Sequence, residues 1–290
     1  METTGALKAR KHRDARGVPW LDFGGRGPEL HFAHANGFPP GAYRSLLERL
    51  ANGHRVFAVG HRPLWSRGRP ESELRHWDRI ADDLIAFLEG SGRAPVVAAG
   101  HSLGATASMF AAVRRPELFQ ALVLIDPVFL EPATALLFNA APRFARDRVP
   151  IVRSAMRRRR RFADAAEAFA YYRPKKVFAG LTDQALADYV AHALEPDGNG
   201  VRLAYSPEWE AQVYRLAPYV WRRLGRVEVP TLGIRGAHSD TLSAAGLHRW
   251  RKIQPKAELH EIPGAGHLVP LEAADAVAAL VTSFTARLPG

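Results

Sequence analysis

Gly100-His101-Ser102-Leu103-Gly104 sets a serine between two glycines, where the apolar run "PVVAAG" gives way to an alanine-rich stretch. A strand that turns directly into a helix forces the corner residue into a left-handed backbone, and glycines two residues away on each side keep the neighbouring chain from colliding. The corner then presents the serine oxygen at the carboxyl end of the sheet and the positive end of the next helix. G-x-S-x-G between strand and helix is the nucleophile elbow, so Ser102 is the candidate nucleophile.

A serine hydroxyl needs a base to take its proton. Twelve histidines are available. His101 adjoins Ser102, but an elbow points its side chain away. His31 and His260 fall in strand patterns, and His12, His192 and His248 have no motif around them. His267 differs: it sits in "IPGAGHLVPLE", a glycine-flanked loop after the last strand pattern and before the last helix pattern. From there an imidazole can reach back to Ser102 as general base. Two carboxylates compete to orient it, and both satisfy the chain order serine, acid, histidine. Asp240, in "GIRGAHSDTLS", is preferred because its loop ends the strand next to the final one. Asp126, in "LVLIDPV", is the alternative acid and is otherwise read as an anchor for the segment after it. His238 lies too near Asp240 in sequence to serve as the base.

Attack on a carbonyl creates an oxyanion that needs two preorganised N–H donors. The backbone amide of Leu103 follows from the elbow. The second donor is expected in "HANGFPPGAYRSL", as the amide of Asn36.

The elements that must position these residues are legible as alternation. Strands are predicted at Glu29–Ala35, Arg55–His61, Pro95–His101, Ala121–Pro127, Pro230–Gly236 and Ala257–Pro263. "VVAA", "LVLI" and "TLGI" are apolar on both faces, as strands covered by helices on either side must be. "GVPWLDFGG" adds a short antiparallel edge strand. Glu71–Gly90 carries Leu74, Trp77, Ile80, Leu84 and Phe87 at helical spacing. Strands alternating with helices indicate a parallel sheet of βαβ units. The alternation fails from Phe129 to about Arg226, which reads as a helical insertion covering the carboxyl ends of the strands. The expected organisation is a basic, mobile N-terminal arm (1–17), an α/β core (18–128 and 229–290) and a helical cap or lid (129–228).

Composition bounds the alternatives. The 290 residues include no cysteine, which excludes disulfides and thiolate metal sites. No apolar run approaches the roughly 20 residues of a membrane-spanning helix, and the N-terminus lacks a signal-peptide apolar stretch, so a cytoplasmic protein is expected. The net charge is +11, and Arg143–Lys176 holds twelve Lys or Arg against three acids, including the run Arg157–Arg161. Such runs are usually solvated, and this one is expected on a helix at the outer face of the lid, with at most one or two arginines reaching the mouth of the site to favour an acidic substrate and with weak contact to an anionic surface. No aromatic interleaving or known motif supports nucleic-acid binding.

"HANGFPP", "GHSLG", "RGAHSD" and "GAGHLVPLE", in that order, resemble the α/β-hydrolase fold superfamily over nearly the whole chain. The resemblance implies an eight-stranded, mostly parallel sheet, a Ser102–His267–Asp240 triad and no cofactor or metal. The chain departs from many relatives in having His34-Ala35 where they have His-Gly. It also has "GHRPLW" (Gly60–Trp65) where they carry D-x-R-G-x-G, which makes Phe38 and Trp65, with His101, candidates for the substrate pocket. The expected function is a serine hydrolase for a small carboxylic ester. The same triad also serves thioesters, lactones, C–C cleavage and perhydrolysis; a non-catalytic ligand-binding relative is the reading from a different class.

Overall fold

The computed structural model describes residues 9–66 and 68–289. Strands β1 (Arg10–Arg13), β2 (Pro19–Gly24), β3 (Glu29–Ala33), β4 (Arg55–Val59), β5 (Val96–His101) and β6 (Phe119–Ile125) come first. Three short strands, β7 (Arg161–Phe162), β8 (Leu194–Asp197) and β9 (Gly200–Leu203), lie in the insertion, and β10 (Thr231–Gly236) and β11 (Glu258–Ile262) follow it. The main sheet runs β1-β2-β4-β3-β5-β6-β10-β11, parallel from β4 to β11, with β1 and β2 antiparallel at one edge. From β3 the chain goes outward to β4, then returns to β5 on the other side of β3. Open α/β sheets bind ligands at the carboxyl ends of strands where the order reverses in this way. Here that point holds the loop after β3 and the elbow after β5.

Apolar residues on both faces of the central strands account for their position. Every residue of β5 is buried, and the helix that follows, Leu103–Arg114, buries ten residues because it is itself covered. One apolar cluster contains Leu30, Phe32, Val97 and Val123, the other Phe57, Ala98, Leu122 and Leu124, so alternate residues of the same strands feed opposite faces.

Three expectations need correction. Part of the supposed mobile arm is β1, which pairs with β2, so "PWLDFG" is one strand in from the edge. All four residues of Arg-Lys-His-Arg in β1 are exposed, and charge on an edge strand discourages pairing with another chain; residues 1–8 of the arm lie outside the described residues. The pattern over Glu71–Gly90 is broken into Pro70–Glu73 and Asp78–Ser91, although Leu74 and Trp77 are still buried in the gap. Gly92, at φ 66°, ends the longer helix in the left-handed conformation that suits glycine.

The insertion between β6 and β10 is not wholly helical, since β7-β9-β8 form a small antiparallel sheet. Its apolar side chains extend the core: Phe162, Tyr172 and Tyr189 join the cluster of Phe32 and Tyr43, and Trp209 and Trp221 join that of Leu122 and Leu124. The arginine run does not form the expected helix either. Met156 ends the helix Pro150–Met156, and Arg161 already belongs to β7.

Candidate active site

Ser102 sits on the corner between β5 and the helix Leu103–Arg114 with φ 54° and ψ −116°. A side chain added at Gly104 would run into the carbonyl oxygens of Ala33 and His34, and one at Gly100 would lie 2.7 Å from the Ala105 nitrogen. Both positions of the motif therefore require glycine, as the spacing suggested. The Ser102 N–H is tied to the carbonyl of Ile125 at 3.0 Å, which fixes the corner to the end of β6.

His267 stands in the loop after β11. Its Nδ1–H donates to Asp126 Oδ2 at 2.5 Å, which leaves Nε2 as an acceptor 3.1 Å from Ser102 Oγ. The carboxylate on His267 is thus Asp126, and the preference for Asp240 is corrected. Asp240 is exposed, and among the described residues its side chain accepts one hydrogen bond, from the Thr241 hydroxyl at 3.4 Å. The sheet order supplies the reason. To reach Ser102 at the end of β5, the His267 ring must cross β10 and β6, and it meets the residue that ends β6. Nearness to β11 was the wrong measure; nearness to the path from β11 to β5 decides.

Asp126 is held for this role. It is fully buried, has φ 43°, and its N–H donates to the Ile234 carbonyl at 2.7 Å. Ser239 Oγ donates to the same Oδ2 at 2.5 Å and accepts the Thr241 N–H at 3.1 Å. "RGAHSD" therefore contributes its serine where sequence reasoning had chosen its aspartate. The signal for Asp126 was the position of "LVLID" at a central strand end; nothing in the sequence pointed to Ser239.

Beside Ser102, the Leu103 amide is the first of its helix and has no intrahelical partner. In the loop after β3, the Ala35 N–H is committed to Tyr43 Oη at 3.1 Å, and Asn36 follows it. The Asn36 side chain is pinned from both ends: it donates to the Glu210 carbonyl at 3.0 Å and accepts the Tyr205 hydroxyl at 2.7 Å.

Buried histidines hold this loop. His34 Nδ1–H donates to the Ala35 carbonyl (2.8 Å), its Nε2 accepts the His61 N–H (2.9 Å), and His61 Nε2–H donates back to the His34 carbonyl (2.8 Å). His101 is fully buried and does not line a pocket, contrary to the expectation for it. Its Nε2–H donates to the His267 carbonyl at 2.8 Å, so its Nδ1 must accept the Tyr43 hydroxyl, also at 2.8 Å. Ala35 N–H, Tyr43 and His101 thus form one chain from the loop after β3 to the backbone of His267. Tyr43→Phe leaves the Ala35 N–H without an acceptor and His101 Nδ1 without a donor, and is expected to cost about 1–3 kcal/mol of stability. Urea unfolding of the two proteins checks this, with a difference below about 0.5 kcal/mol counting against the chain.

Burial also makes these rings acid-sensitive. Burial, aided by the His61 charge, pushes the His31 pKa down to about 3, and burial pushes that of His61 down to about 4. His34 and His101 are lowered too, again chiefly by burial. Below the unfolded value near 6.5 the unfolded chain takes up protons that the folded chain refuses, so stability falls as pH falls until the folded values are reached. His31 and His61 alone should remove about 3 kcal/mol between pH 6.5 and pH 5. Denaturation midpoints across that range test this, and a flat profile would contradict it.

Two further expectations change. Trp65 donates Nε1–H to the Gly60 carbonyl at 3.1 Å and lies half-buried against the core, outside the lining of the cavity that holds Phe38. Phe38 does line a cavity, of about 610 Å³, between the loop after β3 and the insertion. More of the arginine run turns toward the cavity than the one or two residues expected: Arg157, Arg158 and Arg159 line it, and Arg158 is half-buried, paired with Glu210. Among the described residues no cluster of His, Asp and Glu could hold a metal ion, and no helix is long and apolar enough to cross a membrane.

The model of the alpha/beta hydrolase family matches residues 32–280. The chain belongs to that family. This alpha/beta hydrolase is 26% identical to the 2-(acetamidomethylene)succinate hydrolase of Mesorhizobium japonicum, over 90% of its own length and 88% of the relative's. It is 24% identical to the sn-1-specific diacylglycerol lipase ABHD11 of Mus musculus, over 89% and 81% of the two chains. A crystal structure of an E-2-(acetamidomethylene)succinate hydrolase superposes with a TM-score of 0.81 at 23% identity, covering 96% of this hydrolase and 99% of that chain. At that identity the superposition speaks for the fold.

Proposed function

We propose that this chain is a serine hydrolase that cleaves a small carboxylic ester through an acyl-enzyme on Ser102. The observation that carries the proposal is the unbroken relay from Ser102 Oγ through His267 to Asp126 Oδ2, at 3.1 and 2.5 Å. With Nδ1–H given to Asp126, the imidazole can accept only at Nε2, the atom that faces the serine. Ser102 Oγ attacks the ester carbonyl as His267 Nε2 takes its proton. The oxyanion is received by the amides of Leu103 and Asn36, and the imidazolium is stabilised by Asp126. His267 then returns the proton to the departing alcohol. In the second half, water gives a proton to His267 and attacks the acyl carbon, and Ser102 leaves with that proton.

The names of the relatives, a succinate-derivative hydrolase and a diacylglycerol lipase, support hydrolysis as the reaction type. A panel of p-nitrophenyl esters, thioesters and lactones, each run beside a Ser102→Ala control, tests the ester assignment. Turnover of esters that vanishes in the control is expected; ester turnover that survives there, or thioesters preferred over matched esters, would overturn it.

A further inference from the structure

We propose that the cavity under the insertion binds the part of the substrate remote from the scissile carbonyl, and that this part is an apolar chain ending in a carboxylate. The inference rests on the hydrolase reading above and adds the substrate class. At about 610 Å³ the cavity is of ordinary ligand size. Its inner wall is aromatic and buried, built from Tyr172, Phe178 and Tyr189 with Phe38. Its mouth is different. Arg153 and Arg157 are exposed there and Lys175 is half-buried, beside the exposed apolar side chains of Ile151 and Val177.

The charges of this lining do not cancel. Its single carboxylate, Glu210, is already engaged by Arg158, whose other amino group donates to the Tyr189 hydroxyl at 2.6 Å and the Tyr172 hydroxyl at 3.3 Å. Arg159 is paired with Glu167 at 2.6 Å. Among the described residues, Arg153, Arg157 and Lys175 have no carboxylate within ion-pair distance, so three cations converge on the mouth of an apolar space. An apolar chain fills such a space, and a terminal carboxylate can meet the cations while still partly hydrated, without the desolvation penalty of a deeply buried pair.

The cavity is also coupled to the catalytic loop. Phe38 belongs to both, Gly37 abuts the Glu210–Arg158 pair (a side chain added there would lie 3.1 Å from Glu210), and Asn36 holds the Glu210 carbonyl. Ser102 is outside the lining, so the acyl chain passes Phe38 to bring its carbonyl to the serine.

The test uses two matched esters, p-nitrophenyl octanoate and the mono-p-nitrophenyl ester of suberic acid, which differ in whether the eight-carbon acyl chain ends in methyl or carboxylate. In the Arg153→Gln/Arg157→Gln/Lys175→Gln variant the ratio of kcat/KM, acidic over neutral ester, should fall by about tenfold, with the neutral ester changed less than about twofold. In the wild type the ratio should shrink in high salt. An unchanged ratio, or an equal loss on both esters, overturns the proposal. Calorimetric titration of Ser102→Ala with monomethyl suberate and dimethyl suberate asks the same question without turnover. Tighter binding of the monoanion, abolished by the triple substitution, supports the site even if neither ester is hydrolysed; equal binding of the two rejects it. Failure to hydrolyse either ester would instead count against the functional reading.

Discussion

Asp126→Asn should lower kcat by about 10⁴ while the protein stays folded, the size of loss seen when the orienting carboxylate of a well-studied serine protease is made an amide. Asp126 Oδ2 accepts from both His267 Nδ1 and Ser239 Oγ, each at 2.5 Å. An asparagine that keeps its oxygen at the Oδ2 position retains both bonds but loses the charge that stabilises the imidazolium; one that places its NH₂ there turns it toward both Ser239 and His267. The ring must then accept at Nδ1 and carry its proton on Nε2, where it blocks the serine proton. Asp240→Asn removes a charge from an exposed side chain that is hydrogen-bonded to the Thr241 hydroxyl and not to His267, so kcat should stay within about threefold. Steady-state kinetics on the two variants, with circular dichroism to confirm folding, separate the assignments. A mild Asp126→Asn and a crippled Asp240→Asn would reverse them.

Ser102→Ala is expected to remove about 10⁶ of kcat, since without the nucleophile His267 and Asp126 have nothing to activate. Alanine tolerates the φ of 54° no worse than serine does, so stability should change little. Residues that act as one unit are not additive, and this gives a sharper form of the same prediction. Adding Asp126→Asn to Ser102→Ala should cost almost nothing further. A further loss of tenfold or more in the double variant would mean that Asp126 serves the reaction by a route other than Ser102.

The parts of this account that were legible in the sequence are those set by local rules. Two-sided apolar runs located the central strands, and Gly100 and Gly104 are needed for steric reasons that act within a few residues of Ser102. His267 was legible because its loop is glycine-flanked and follows the last strand. The acid was not, because choosing between Asp126 and Asp240 requires the strand order β5-β6-β10-β11, and only that order shows which strand end the imidazole crosses. Trp65 was misplaced for a related reason: its indole N–H is spent on the Gly60 carbonyl five residues away, a local bond that composition does not reveal. The five arginines were misread because a uniform run suggests a uniform environment. In the fold they straddle a helix end and a strand start, so Arg158 turns inward to Glu210 while Arg160 meets Glu208 on the exposed side.

The central claim is that Ser102 is a nucleophile activated by His267 and Asp126, and the most direct measurement of it is covalent. The intact protein is incubated with a fluorophosphonate and its mass followed over time, beside Ser102→Ala and Asp126→Asn. The account predicts a single adduct on the wild type, located on Ser102 by peptide mapping, much slower labelling of Asp126→Asn and none of Ser102→Ala. An adduct that persists in Ser102→Ala, or labelling of Asp126→Asn at the wild-type rate, would contradict it.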